Sequence, residues 1–172
     1  EPQRFATKGE YVPSLTGEGK MSKTVEGSYI NLTDDLEAIR GKIARIPTDI
    51  GRGEVRMEKR EDSDELVKSY ISEDVNESSR VRVLLQFVEL FQGSAKRSQL
   101  EDQYVNEGLK YKQVKEDLAE TIYNELKPIQ EKRRDLEKDN KYVDKVIQEG
   151  TVKAQQVARQ TVDEVKEKMG LS

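Results

Sequence analysis

Two lysines three residues apart, Lys20 and Lys23, stand in the stretch GEGKMSKTVEGSY, Gly17 to Tyr29, among glycines and small hydroxyl residues. No strand-like or helix-like apolar pattern surrounds them. An ammonium group needs no proton transfer to act on phosphate, because placed where negative charge grows it stabilises that charge directly. A lysine pair on a flexible segment can close over a polyphosphate, or it can be solvated surface, as most lysines are. The remaining chemistry is narrow. The 172-residue chain contains no histidine and no cysteine, which removes the commonest general base, the Ser/His/Asp and Cys/His arrangements, thiolate metal sites and disulfides. No metal-ligating constellation is expected. Paired carboxylates are abundant, but in a chain this acidic their spacing carries no information, and neither G-x-x-x-x-G-K-[ST] nor G-x-G-x-x-G occurs.

Composition bounds the elements that must carry this loop. Apolar residues make up 34% and charged residues 37%, against a usual charged share of roughly 25%. That balance describes helices with heavily charged outer faces, and the length suffices for a real hydrophobic core. The net charge of −4 offers no general attraction to nucleic acid or anionic lipid, so contact with phosphate has to be local. No run approaches a membrane span, and the first residues lack the layout of a signal peptide. The cytoplasm is the expected compartment, with no membrane partner and no DNA. The opening residues, EPQRFATKGEYVPSLTGEGKMSK, scatter proline, glycine and charge without an initiator methionine and read as the middle of something longer.

Ordered structure becomes legible at NLTDDLEAIRGKIARIPTD. Asp34 with Glu37 three residues on is a capping-box pattern, Leu36, Ile39, Ile43 and Ile46 recur at helical spacing, and Pro47 ends the helix. Lys42 and Arg45 suit its carbonyl end. From Ile50 to Ser79 the pattern weakens. GRGEVRMEKREDSDE reads as a loop or short exposed hairpin, and Leu66, Val67, Tyr70 and Ile71 allow one short helix. VRVLLQFVELFQG then predicts a helix with Leu84, Phe87, Val88 and Phe91 on one face and Gly93 at its C-terminal cap, a strand being the competing reading. Ser98 with Glu101 predicts a capping box opening another short helix, which NEG ends. Two long helices follow. One carries the stripe Tyr111, Val114, Leu118, Ile122, Leu126 and Ile129 and should kink at Pro128. The other carries Tyr142, Val146, Ala154, Val157, Ala158, Thr161, Val165 and Met169. All these stripes read as core packing. Lys132, Arg133, Arg134 and Lys138 read as a solvated helix face, with RNA phosphate contact as the alternative.

Lys20-Met21-Ser22-Lys23-Thr24 resembles the KMSKS signature of class I aminoacyl-tRNA synthetases, departing from it at the fifth position. DDLEAIRGKIARIPTD resembles the segment that follows the signature in tryptophanyl-tRNA synthetases, with an I-[RK]-x-K-I core and a terminal Thr48-Asp49 pair. LAETIYNELKPIQEKRRDL and YVDKVIQEGTVKAQQVARQTVDEVKEKMGL resemble the C-terminal helices of that family, whereas residues 50–80 fit it poorly. Tyrosyl-tRNA synthetases share the signature. The pattern Glu149-Gly150, Lys153-Ala154, Val157-Ala158 and Thr161 favours the tryptophan family, and a plain helical interaction module is the rival from another class.

The resemblance implies a mainly α fold: a helical bundle, the anticodon-binding domain over 61–172, preceded over 1–60 by the C-terminal end of a nucleotide-binding α/β domain. It implies a parent ligase that activates tryptophan with ATP and Mg2+, charges tRNA(Trp), and is a homodimer. In that family the loop is mobile and closes over the triphosphate. Lys23 would be the principal pyrophosphate contact and Lys20 a second, with Met21, Ser22 and Thr24 completing the ATP-binding loop and Gly17, Gly19 and Gly27 supplying hinge freedom. Lys132, Arg133 and Arg134 are the candidate tRNA contacts. The family's HIGH signature contains histidine and lies in the N-terminal half, so the resemblance implies that the chain is a C-terminal part, inactive alone.

Overall fold

The computed structural model describes residues 11–60, 66–72 and 80–171. The chain divides into two compact units, Glu1–Lys127 and Pro128–Ser172. In the first unit, helix α1 (Leu36–Ala44) buries Ile39 and Ile43, as its spacing predicts. Its cap lies one residue later than expected. The carboxylate of Asp35 accepts from the Ala38 amide at 2.8 Å, while Asp34 accepts from the Asn31 amide at 2.8 Å and from Lys42 Nζ at 2.5 Å. Where two acidic residues adjoin, the sequence pattern cannot say which becomes the cap; here the other fastens the incoming chain to the helix. Burial alone would push the Asp34 carboxyl up, but Lys42 and Asn31 more than reverse this and hold it below the usual carboxylate range. At the far end of α1, Lys115 Nζ donates to the carbonyls of Ala44 and Ile46 at 3.0 and 2.7 Å.

Strands β1 (Gly53–Lys59) and β2 (Leu66–Ser72) form an antiparallel pair with Gly53 opposite Ser72 and Lys59 opposite Leu66. Of the loop or short exposed hairpin expected over 51–65, residues 53–59 form one strand that pairs with β2, beyond that stretch, and 61–65 lie outside the described residues; the short helix expected at Leu66–Ile71 is a strand. Four apolar residues at 66, 67, 70 and 71 fit a helical turn, yet in the strand Tyr70 and Ser72 point inward on the two-residue period, and both are buried. A Cβ at Gly53 would stand 2.0 Å from the Ile71 carbonyl oxygen and 2.5 Å from the Tyr104 hydroxyl. Only a residue without a side chain allows that approach.

Helix α2 (Val81–Gln92) buries Val81, Val83, Leu84, Leu85, Phe87 and Val88 and ends at Gly93, whose φ of +89° suits glycine. The chain turns there directly into α3 (Ser94–Asn106). The expected cap at Ser98 is therefore overturned: Ser98 and Glu101 lie inside α3, and Glu101 is buried. Its carboxylate accepts from the Tyr70 hydroxyl at 2.6 Å, from Arg97 Nε at 2.8 Å and from Lys68. Helix α4 (Tyr111–Lys138) buries Val114, Leu118, Ala119 and Ile122. Arg40 on α1 reaches it, donating to Glu116 at 2.5 Å and Glu120 at 3.2 Å. The Asp49 carboxylate accepts from the hydroxyls of Tyr104 and Tyr111 at 2.8 and 2.5 Å, fastening the segment after α1 to α3 and α4.

The second unit contains α4 from Pro128 onward and α5 (Asn140–Lys168), capped by Asp139, which accepts from the Tyr142 amide at 3.0 Å. Pro128 lies within α4, at the first residue of this unit. No described residue of α5 is buried, and Tyr142, Val146, Val157, Val165 and Met169 are all exposed. The expectation that this stripe is core fails, as it does for Ile129. Periodicity records which face seeks a partner; burial requires that the unit supply one. Among the described residues no helix is long and apolar enough to cross a membrane.

Candidate phosphate loop

The signature is carried on a short ribbon. Met21 donates its amide to the Val12 carbonyl at 2.9 Å, Ser14 donates to Gly19 at 3.0 Å, and Pro13 and Lys20 face each other as an antiparallel bridge. The turn between the two sides runs through Gly17 and Gly19, with φ of +91° and +67°. A Cβ at Gly17 would stand 3.8 Å from Val83 Cγ2, so the turn lies against α2. Extended backbone alternates its side chains, and the ribbon uses this. Met21 packs against the hydrophobic core, while Lys20 is exposed.

Beyond the ribbon the chain makes a second, smaller loop. Ser28 is completely buried. Its hydroxyl donates to the Ser22 carbonyl at 2.6 Å and accepts from the Ser22 amide at 3.3 Å. The Ser28 carbonyl in turn accepts from the Leu15 amide at 3.0 Å. Residues 22–28 are thus closed at the neck, with Lys23 and Thr24 on the exposed part. The hydroxyls of Ser22 and Thr24 are bonded at 2.9 Å. Threonine at position 24 therefore keeps the polar contact that a serine would make, and its methyl is accommodated on an exposed face.

Neither Lys20 nor Lys23 makes an ion pair or hydrogen bond through its ammonium among the described residues. The structure brings Lys20, Met21, Ser22, Lys23 and Thr24 together on one ribbon and loop, with two cations facing solvent and the methionine anchoring them to the core. Beyond the loop, Lys42 stands 5.2 Å from the ring centroid of Tyr29 and pairs with Asp34, which fixes the exit of the loop onto α1. A cleft of about 1070 Å³ adjoins the ribbon turn, lined by Gly17, Gly19, Lys68, Arg82, Val83 and Arg97 among others. Neither signature lysine lines it.

Lys132, Arg133 and Arg134 belong to the second unit, all exposed on α4. Arg133 pairs with Glu137 at 2.7 Å. Successive helical residues point about 100° apart, so these three cations do not form one compact face. Sequence reasoning missed Ser28 and the partner segment Val12–Ser14. A lone serine has no distinguishing pattern, and Val12 and Ser14 are recognisable only once the ribbon is seen.

A K-M-S-K loop with outward lysines, set before a mainly helical chain, is what the resemblance to class I synthetases leads one to expect. The sequence profile of the family described as tRNA synthetases class I (W and Y) matches residues 1–127, and the chain belongs to that family. It is similar to the tryptophan–tRNA ligase of Lactococcus lactis, 31% identical over 161 residues, covering 94% of this chain and 42% of the relative. It is also similar to the tryptophan–tRNA ligases of Porphyromonas gingivalis, 28% identical over 99% of this chain and 47% of the relative, and of Streptococcus pyogenes, 30% identical over 96% and 44%. The chain thus spans about half the length of the curated relatives it matches.

Proposed function

We propose that the chain works as part of a tryptophan–tRNA ligase, which activates tryptophan with ATP and charges tRNA(Trp). The observation that carries this is the outward pair Lys20 and Lys23, bonded to nothing among the described residues, on a loop whose methionine is held by the core. In this reading residues 1–60 close the nucleotide-binding domain and 61–172 form the anticodon-binding domain. The remaining half of the parent brings the HIGH signature and the tryptophan pocket. Lys23 and Lys20 stabilise charge growing on the β- and γ-phosphates as pyrophosphate leaves, Ser22 and Thr24 offer hydroxyls, and Mg2+ arrives with ATP. The parent is a cytoplasmic homodimer, and the 172-residue chain alone is catalytically inactive. Relatives named as tryptophan enzymes favour tryptophan over tyrosine as the amino acid.

The test is tryptophan-dependent pyrophosphate exchange in the full-length protein. Lys23→Ala should lower the rate by about 10²-fold or more, the loss expected for one preorganised electrostatic donor. The KM for tryptophan should change far less. Intact exchange with ruined tryptophan binding would refute the role.

A further inference from the structure

We propose that Ser28 is a positioning residue for Lys23: its buried hydroxyl closes the neck of loop 22–28 and so fixes where the Lys23 ammonium is launched. The inference rests on the reading of Lys23 given above. Ser28 has 0% of its surface exposed, yet its single hydroxyl binds both backbone groups of one residue, donating to the Ser22 carbonyl at 2.6 Å and accepting from the Ser22 amide at 3.3 Å. Its own carbonyl is tied to Leu15, on the ribbon turn, at 3.0 Å. Ser22 is therefore held where ribbon and loop meet, and Lys23 is the next residue along.

Without that hydroxyl, the Ser22 carbonyl retains among the described residues only the long bond from the Val25 amide, at 3.4 Å. The Ser22 amide loses its acceptor. Lys23 would then swing with an unclosed loop, and bringing its ammonium to the departing pyrophosphate would cost the ordering of backbone as well as side chain. Lys20 is held by the ribbon itself, paired across it to Pro13, whereas the Ser28 hydroxyl reaches Lys23 through Ser22. This role differs from stabilising the core, because it acts on the reaction through Lys23 alone.

A double-mutant cycle in the full-length protein separates the two. Ser28→Ala should lower the rate constant for pyrophosphate exchange by about ten- to a hundredfold, the range of orienting contacts one shell from a reacting group, with the KM for tryptophan unchanged. Combined with Lys23→Ala it should add less than about twofold, since the group it positions is already gone. Ser28→Cys, which nearly keeps the side-chain volume and weakens the hydrogen bonds, should show an intermediate loss with the same coupling to Lys23 and guards against an alanine variant that fails to fold. Equal losses with and without Lys23, or no loss in Ser28→Ala, would overturn the inference while leaving the role of Lys23 standing. A silent Lys23→Ala would overturn both.

Discussion

Lysines distinguish themselves in this chain by what they bind. Lys42, Lys68 and Lys115 are bonded into the fold through Asp34, Glu101 and the carbonyls that end α1, and burial pulls the Lys115 ammonium below its usual range. Lys20 and Lys23 make no such bond among the described residues, which is why they are available to a ligand. The same comparison identifies Glu101 as structural. Burial pushes its carboxyl up, but Lys68, Tyr70 and Arg97 outweigh this and hold it below the usual carboxylate range. Burial, with Glu101 beside it, raises the Tyr70 hydroxyl, so the phenol stays protonated and donates. Because the folded carboxyl titrates below its unfolded value of about 4.3, the network's contribution is fully present above that pH and is lost as pH falls through the folded value. Glu101→Gln should destabilise the chain by about 2–3 kcal/mol at pH 7, as expected for breaking a buried charged network. It should also flatten the acid limb of stability against pH. Urea midpoints measured from pH 3 to 7 check both, and an acid limb unchanged by the substitution would assign it to other carboxylates.

Elements were legible where a helical period met a stop. Ile39 and Ile43 placed α1 before Pro47, and Leu84, Phe87 and Val88 placed α2 before Gly93, where length and the three-to-four spacing outweighed the competing strand. The hairpin's second strand was not legible, since Leu66, Val67, Tyr70 and Ile71 satisfy a helical turn as readily as a strand; pairing with β1 and Tyr104 resolves it. The start of α3 was misread because a Ser-x-x-Glu spacing inside a helix resembles one at its beginning. In the loop the lysines were visible, but their ribbon was not, for Pro13 and Lys20 form a single bridge with no apolar alternation to announce it. Gly53 gives the closest test of how the hairpin is closed. Gly53→Ala should destabilise by about 2–3 kcal/mol through overpacking against Ile71 and Tyr104. Gly41→Ala, inside α1 with open space around it, should stabilise by about 0.5–1 kcal/mol through helix propensity. Denaturant titration of the two variants should give opposite signs, and a neutral Gly53→Ala would mean that the hairpin and α3 are not in close contact.

Over the whole molecule, the charge balance sets what contact with RNA can look like. A net charge of −4 makes the average surface repulsive to phosphate, so any tRNA contact has to be a small patch rather than a broad field. Lys132 and Arg134 on α4 are exposed and unpaired among the described residues, while Arg133 is engaged with Glu137, and the three diverge around the helix. Such a patch engages few phosphates. Each neutralised phosphate contributes about −0.7 to −0.9 to the slope of log affinity against log salt, so the chain should bind tRNA weakly with a slope of about −2 to −4. Lys132 and Arg134 point about 200° apart, so only the one that faces the RNA should reduce the slope, by about one, when replaced by Ala, and the other should leave it unchanged. Specificity has to come from elsewhere, through hydrogen bonds and stacking on unpaired anticodon bases. Changing the CCA anticodon should therefore weaken binding, whereas changing the acceptor stem should not. Fluorescence titration against tRNA(Trp) and its anticodon and acceptor variants at several salt concentrations measures all of this together. Equal affinity for every variant, with a steep slope, would reduce the contact to nonspecific charge and remove anticodon recognition from α4.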